Sequence, residues 1–109
     1  MQKIESVEQF EQLIESGDTF TLLKHSLTCP ISQAAYEEYE KFTEENPDEK
    51  SYYLTVQDSR PLSTYIAEKY QVKHESPQAF LFHNKVVAWH ASHWKITYNT
   101  LEKVTEEIK

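Results

Sequence analysis

Apolar residues near the start of the chain recur at the spacing of one helix face, which predicts a helix over residues 7–16. Ser6 and Gln9 fit a capping box at its start, because a serine side chain there accepts a backbone N–H from the first helical turn. Gly17 stands where a helix commonly ends in a left-handed residue. The side chains predicted to face inward are those of Val7, Phe10, Leu13 and Ile14.

Short segments rich in aliphatic, aromatic and β-branched residues predict strands. Phe20–His25 is mostly apolar, as a buried strand would be, and residues 51–57 have a strand-like composition. Residues 78–82 and 85–90 read as two further strands. The turn-prone pair His83-Asn84 between them predicts an antiparallel hairpin.

Three more helices are predicted between and after these strands. Good helix formers fill residues 31–46, and Pro30 suits the first turn because its missing N–H has no intrahelical partner there. Residues 62–70 and 96–108 also have helical spacing. Strands separated by helices imply parallel crossovers, and the hairpin adds antiparallel strands. The sequence therefore predicts an α/β fold with a mixed central sheet and helices on both faces; an additional short strand at Lys3-Ile4 stays open.

Length and charge narrow the classes of function. A chain of 109 residues suits a single domain, residues 1–109. It has 18 acidic and 11 basic residues, a net charge of −7, so no nucleic-acid partner is expected. No apolar run reaches the roughly 18 residues that span a membrane, and the first residues show no apolar leader. No membrane association is therefore expected.

Cysteine and histidine positions limit the chemistry further. The single cysteine, Cys29, cannot form an internal disulfide, which predicts a cytoplasmic protein whose thiol stays reduced. The histidines, at positions 25, 74, 83, 90 and 93, offer no ligand pair on one helical turn and no cysteine partners. Neither a metal site nor a bound cofactor is expected.

Cys29 stands between a predicted strand and a long predicted helix. Helix amino termini present unpaired N–H groups and a partial positive charge, and both favour a thiolate over a thiol. The N–H groups of Ile31 and Ser32 are the expected donors, and the hydroxyls of Ser32 and Thr28 are further candidates. A lone cysteine is usually a buried structural thiol. The exposed edge of an α/β sheet, however, favours a reactive one.

Two segments carry a family resemblance. Thr28-Cys29-Pro30-Ile31-Ser32, together with Ser76-Pro77-Gln78 before the hairpin, resembles the thioredoxin superfamily. The surrounding stretches KHSLTCPIS, RPLSTYIAEKY and KHESPQAFLF are most similar to the monothiol bacilliredoxins (YtxJ-like) of low-GC Gram-positive bacteria. The resemblance covers nearly the whole chain and implies a thioredoxin-like fold.

This resemblance implies an activity under oxidative stress. Proteins of that family take bacillithiol from mixed disulfides on client proteins, so Cys29 is implied to be the nucleophile that ends up carrying bacillithiol. Ser32 stands where dithiol relatives have a second cysteine, so an external thiol, bacillithiol or another, must resolve the intermediate. The implied partners are S-bacillithiolated proteins, with bacillithiol as a co-substrate.

The resemblance also assigns residues near the hairpin. Pro77 matches the cis-proline that faces the active-site cysteine in thioredoxin folds. Ser76 is then implied to offer backbone groups to a docked disulfide, with Gln78 in the same substrate-binding segment. Two features depart from related families. Leu22-Leu23 lies where many thioredoxins hold a buried acid, and Ala91-Ser92-His93-Trp94 replaces the glycine pair of glutaredoxins.

Other candidates each have two interpretations. In the first interpretation, His25 or Lys24 supplies positive charge, either to the thiolate or to a carboxylate of the bound thiol. In the second, each is a strand-end residue that points to solvent. Arg60 is either a neighbour of a helix cap or a ligand contact. Three residues after the last strand either line a groove beside the active site or pack against the final helix: His90, His93 and Trp94.

Two other classes of function are compatible with the same fold. A non-catalytic module would bind partners through the groove around Pro77 and would keep Cys29 shielded. A redox sensor would be modified at Cys29 without turnover. Turnover on a bacillithiolated client, and its loss in Cys29→Ser, separates the enzyme from both.

Overall fold

Residues 1–108 are described by the computed structural model, and they form five strands and four α-helices. In chain order these are β1 Gln2–Lys3, α1 Val7–Ser16, β2 Phe20–His25, α2 Pro30–Glu45, β3 Lys50–Thr55, α3 Arg60–Tyr70, β4 Gln78–His83, β5 Val86–Ser92 and α4 Tyr98–Glu107. A short 3-10 helix, His93–Lys95, connects β5 to α4.

The ends of α1 follow from its sequence. The Ser6 hydroxyl accepts the N–H of Gln9 at 3.1 Å, and the Gln9 side chain accepts the N–H of Ser6 at 3.1 Å. Gly17 ends the helix in the left-handed region with φ 76°. The capping box and the glycine stop predicted from the sequence are therefore confirmed.

The strands form one mixed sheet in the order β1-β3-β2-β4-β5. β1 and β2 both pair with β3 in parallel, whereas β4 is antiparallel to β2 and to β5. This confirms the predicted α/β architecture. It also settles the open question at the amino terminus, where a short strand forms at Gln2–Lys3.

Helices cover both faces of the sheet and give two apolar cores. Phe10 of α1 and Ile66 of α3 belong to one core, whereas Tyr39 of α2 and Leu101 of α4 belong to the other. Successive side chains of a strand point to opposite faces. The neighbours Leu22 and Leu23 accordingly lie in different cores, both fully buried.

The carboxyl-terminal part differs in detail from the sequence prediction. The hairpin turns at Asn84 and Lys85, with φ 52° and 70°, instead of at His83-Asn84, because His83 still pairs with Val86. The last helix starts at Tyr98 because the 3-10 helix occupies the residues before it. Within residues 1–108, no helix combines the length and apolar character needed to cross a lipid bilayer.

Candidate functional site around Cys29

Cys29 is the N-cap residue of α2. Its backbone is extended, with φ −107° and ψ 119°, and its carbonyl accepts the N–H of Gln33 at 3.0 Å. Pro30 occupies the first turn, and the Cys29 side chain is half-buried with a free thiol. The thiol therefore lies at a helix amino terminus, as predicted, but it makes no capping hydrogen bond with the N–H groups of Ile31 or Ser32 that were the expected donors.

The Ser32 hydroxyl braces the loop that leads into Cys29. Ser32 is fully buried, and its Oγ accepts the N–H of Ser26 at 2.8 Å. The same oxygen shares a hydrogen bond of 2.9 Å with Nδ1 of His25. The structure thus gives Ser32 a structural role in place of the predicted contact with the thiolate.

His25 lies inside the protein and not in solvent. It is 6% exposed, and its ring packs on that of Tyr36 with centroids 4.8 Å apart. Burial lowers the pKa of His25 below its ordinary 6.5, although the hydrogen bond with Ser32 acts in the opposite direction. Burial thus disfavours the charged imidazole and excludes the interpretation in which His25 points to solvent, while its assignment to the substrate-binding residues stays a prediction.

Lys24 faces the opposite side of the sheet from His25. It is fully buried, and its Nζ donates to the carbonyl of Ser63 in α3 at 3.0 Å. Alternation along β2 turns this side chain away from α2, which Cys29 begins. Lys24 therefore does not end in solvent, and its side chain lies on the face of the sheet opposite to α2.

The Ser76-Pro77 segment lies at the sheet edge from which the Cys29 loop departs. Lys24 pairs with Gln78 in the antiparallel register, so Pro77 stands at the level of His25, where β2 ends. The peptide bond between Ser76 and Pro77 is cis, as predicted. The carbonyl of Pro77 accepts the N–H of His93 at 3.1 Å, which attaches the segment to the 3-10 helix.

The Gln78 side chain is buried, at 1% exposure. Its Nε2 donates to the carbonyl of Lys73 at 3.0 Å, and its Oε1 accepts the N–H of Glu75 at 3.4 Å. Both ends of the amide are thus used within the 73–78 loop. The Gln78 side chain therefore holds that loop, and the place of Gln78 in the substrate-binding segment stays a prediction.

A groove of about 370 Å³ opens beside the amino-terminal part of α2. Ile31 lines it on one side, and His93 and Trp94 line it on the other. Trp94 is 70% exposed, so the groove has an apolar rim next to the Cys29 motif. His90 lies in an adjoining groove along β5, with Glu75 and Trp89, and Trp94 lines both grooves. Of the three residues predicted at this position, His93 and Trp94 therefore lie beside the motif and His90 does not.

Gln57 contributes to the site without any signal in the sequence. Its Nε2 donates to the hydroxyls of Ser26, at 3.0 Å, and Thr28, at 3.4 Å. Its Oε1 accepts the N–H of Leu27 at 3.1 Å. One side chain from the end of β3 thus fixes the loop before Cys29.

Arg60 is the first residue of α3 and lines a small cavity with His74.

Comparisons with known proteins agree with this geometry. The model of the family described as monothiol bacilliredoxin BrxC matches residues 2–101. A solved structure provisionally described as an oxidoreductase with a thioredoxin fold is 48% identical, covers 94% of this chain and 91% of its own, and has a TM-score of 0.88.

More distant structures share the fold alone. Thioredoxin from Fasciola hepatica is 16% identical over all of both chains, with a TM-score of 0.79. Thioredoxin f2 from Chlamydomonas reinhardtii is 14% identical over all of this chain and 96% of its own, with a TM-score of 0.78. With a thioredoxin fold, a cysteine at the start of α2 and a family match over most of its length, the chain belongs to the monothiol bacilliredoxin family.

Proposed function

We propose that this protein removes bacillithiol from S-bacillithiolated proteins through Cys29. The observation that carries the proposal is the position of Cys29, a half-buried free thiol that begins α2 in a chain with no other cysteine. Ser32, one turn further on, is buried and bonded to His25 and Ser26. A monothiol reaction with an external resolving thiol fits this arrangement.

The first step is an exchange of disulfide partners. The Cys29 thiolate attacks the bacillithiol sulfur of the mixed disulfide, the bond between bacillithiol and the client sulfur breaks, and a bond between Cys29 and bacillithiol forms. The client leaves as a thiolate and takes a proton from water. One disulfide is consumed and one is made, so no further oxidant or reductant is needed.

The second step regenerates Cys29. A thiolate from solution, either a second bacillithiol or another small thiol, attacks the bacillithiol sulfur on Cys29. The Cys29 thiolate leaves, and a disulfide between the two small thiols is released. A compartment that keeps small thiols reduced is required for this step, and we therefore place the protein in the cytoplasm.

Two features support client binding at the same edge. Among residues 1–108, the backbone N–H and C=O of Ser76 make no hydrogen bond within the protein, and Ser76 is only half-buried. They are therefore open to pair with an extended segment of a client. The groove between Ile31 and Trp94 offers apolar surface for a side chain of that segment.

The test is turnover on a defined client. A peptide with one bacillithiolated cysteine is incubated with the protein and excess bacillithiol, and release of the peptide thiol is followed over time. We expect many turnovers per protein and none for Cys29→Ser. Labelling of Cys29 by bacillithiol without turnover would instead indicate a redox sensor, and absence of labelling would indicate a non-catalytic binding module.

A further inference from the structure

Three basic residues meet at the α3 side of the sheet, and we call Lys24, Arg60 and His74 the cationic pocket. The Lys24 ammonium is fully buried, donates to the Ser63 carbonyl at 3.0 Å and lies 3.4 Å from Nδ1 of His74. It also lies 5.6 Å from the centroid of the Phe80 ring. All of these contacts are to uncharged groups or to an imidazole.

A cavity of about 90 Å³ lies next to Ser63 and His74, the two residues that contact this ammonium. Arg60, Ser63, His74 and two further residues, Val56 and Thr64, line it. Since a water molecule occupies about 30 Å³ of liquid, the cavity has room for a carboxylate group. Arg60 and His74 are exposed, so a ligand can enter from solvent.

The hydrogen bonds of His74 leave it with a donor for such a ligand. Its Nδ1 lies 3.4 Å from the Lys24 ammonium and 3.1 Å from the Ser63 hydroxyl. An ammonium can only donate, so Nδ1 is the acceptor and the ring proton is on Nε2. Burial lowers the pKa of His74 most, the charges of Lys24 and Arg60 lower it further, and the Glu75 carboxylate acts in the opposite direction.

The Glu75 carboxylate acts on His74, but neither Lys24 nor Arg60 forms an ion pair within residues 1–108. The ion pairs that the structure shows within residues 1–108 use Lys3, Lys50 and Lys69, and none uses Lys24 or Arg60. This is unexpected in a chain with a net charge of −7. A buried cation without an anionic partner is costly, so a bound anion would stabilise the pocket.

The pocket lies at the same end of the sheet as Cys29. Val56, which lines the cavity, donates its N–H to the carbonyl of His25 at 2.8 Å. The next residue, Gln57, holds the loop that leads to Cys29. His74 is three residues before the cis-proline Pro77. Ligands of α/β proteins bind at this carboxyl end of the parallel strands.

We propose that the cationic pocket binds a carboxylate of the small thiol that Cys29 takes from its clients. This inference rests on the proposed function, and the malate part of bacillithiol supplies the carboxylates. The guanidinium of Arg60 and Nε2–H of His74 donate to the carboxylate, and the Lys24 ammonium stabilises its charge from behind.

The first experiment measures binding without any exchange. S-methylated bacillithiol, whose sulfur cannot react, is titrated into the protein by calorimetry. We expect Arg60→Gln to weaken binding of this ligand about tenfold. The control is Lys73→Gln, which makes the same charge change at the exposed lysine next to His74 and should change the affinity less than about twofold. Added salt should weaken binding to the original protein and have less effect in Arg60→Gln.

A second ligand identifies the chemical group that is bound. S-methylated glucosaminyl-cysteine, which lacks malate, should bind about tenfold more weakly to the original protein and equally weakly to Arg60→Gln. Equal affinities of Arg60→Gln and Lys73→Gln for S-methylated bacillithiol, or no measurable binding to the original protein, would overturn the inference.

A transfer assay separates this inference from the proposed function. One peptide is prepared as a mixed disulfide with bacillithiol and again with cysteamine, which has no carboxylate. Arg60→Gln should slow transfer of bacillithiol about tenfold and leave transfer of cysteamine within about twofold. If the original protein transfers neither thiol, the proposed function has failed. If the original protein and Arg60→Gln transfer bacillithiol equally fast, only the inference fails. The same holds if Arg60→Gln slows the transfer of bacillithiol and of cysteamine to the same extent.

Discussion

Lys24 and His25 are neighbours on β2, both are buried, and their surroundings are opposite in kind. His25 faces α2, where Ser32 and Tyr36 enclose a neutral imidazole with a hydrogen-bond partner. Lys24 faces α3, where burial lowers the pKa of its ammonium from 10.5 to about 8. One side of the strand end is electrically neutral and closed, and the other has excess positive charge beside an open cavity.

The difference shows how one strand end can serve two tasks. The closed side holds the loop of Cys29 in place, because Ser32 links His25 to the backbone of Ser26. The open side keeps a charge that the fold itself does not neutralise. The α2 face of the sheet thus holds the loop of the nucleophile in place, and the α3 face carries the positive charge that would bind an anion.

Ser32→Ala should have the largest effect on stability. It removes the partner of the Ser26 N–H and of His25 Nδ1, both buried, and each unsatisfied group costs about 1–3 kcal/mol. We expect the free energy of unfolding in urea to fall by about 3 kcal/mol. Thr43→Ala, which removes a hydroxyl bonded to Glu40 on the outside of the same helix, is the control and should cost less than about 1 kcal/mol. Equal losses in the two variants would contradict a bracing role for Ser32.

Lys24→Met should act in the opposite direction. Replacing a buried ammonium without an anionic partner by an apolar chain of similar length should raise the free energy of unfolding at pH 7 by about 2 kcal/mol. Lys73→Met, at an exposed position, should change it by less than about 0.5 kcal/mol. A loss of stability in Lys24→Met would show that the charge is already balanced in the folded protein.

The pH dependence of the free energy of unfolding shows independently whether the charge of Lys24 stabilises or destabilises the folded protein. With a folded pKa of about 8 and an ordinary value of 10.5, the folded protein loses this proton before the unfolded chain does. The unfolded chain therefore binds more protons between these values, and the stability contributed by this group rises with pH. The advantage of Lys24→Met should accordingly shrink between pH 8 and pH 10.5. An advantage that is constant over this range would contradict the lowered pKa.

His25→Gln should have the smallest effect on the free energy of unfolding, and the effect should be seen only below about pH 6.5. Because burial lowers the pKa of His25 below 6.5, the unfolded chain takes up a proton first as the pH falls. Stability present above pH 6.5 is then lost as the pH falls through the folded pKa. Glutamine keeps a hydrogen-bonding group for Ser32 but does not titrate, so its stability should fall less between pH 7 and pH 5. Parallel curves in urea for the two proteins would contradict a buried, neutral His25.

The sequence predicted the elements well because their signals are local. The capping box of Ser6, the glycine stop at Gly17 and the proline that starts α2 each depend on residues within one turn. The position of Cys29 at the start of α2 also followed from a local signal, because Pro30 marks the first turn of that helix.

The environment of the site was predicted less well because it depends on distant residues. All six residues of β2 are buried, so no alternation of polar and apolar residues shows which face each side chain takes. The burial of Lys24 against α3 therefore had no local signal. The contact of Gln57 with the loop before Cys29 joins residues about thirty positions apart and also had none.

The most direct test of the account is the mass of the protein after one reaction with a client. The reduced protein is mixed with an equimolar bacillithiolated peptide, without any other thiol, and intact masses are measured after acid quenching. We expect one bacillithiol on Cys29, an equal amount of free peptide thiol, and no adduct in Cys29→Ser. An adduct between Cys29 and the peptide itself, or no adduct at all, would contradict the claim that Cys29 takes the small thiol from its clients.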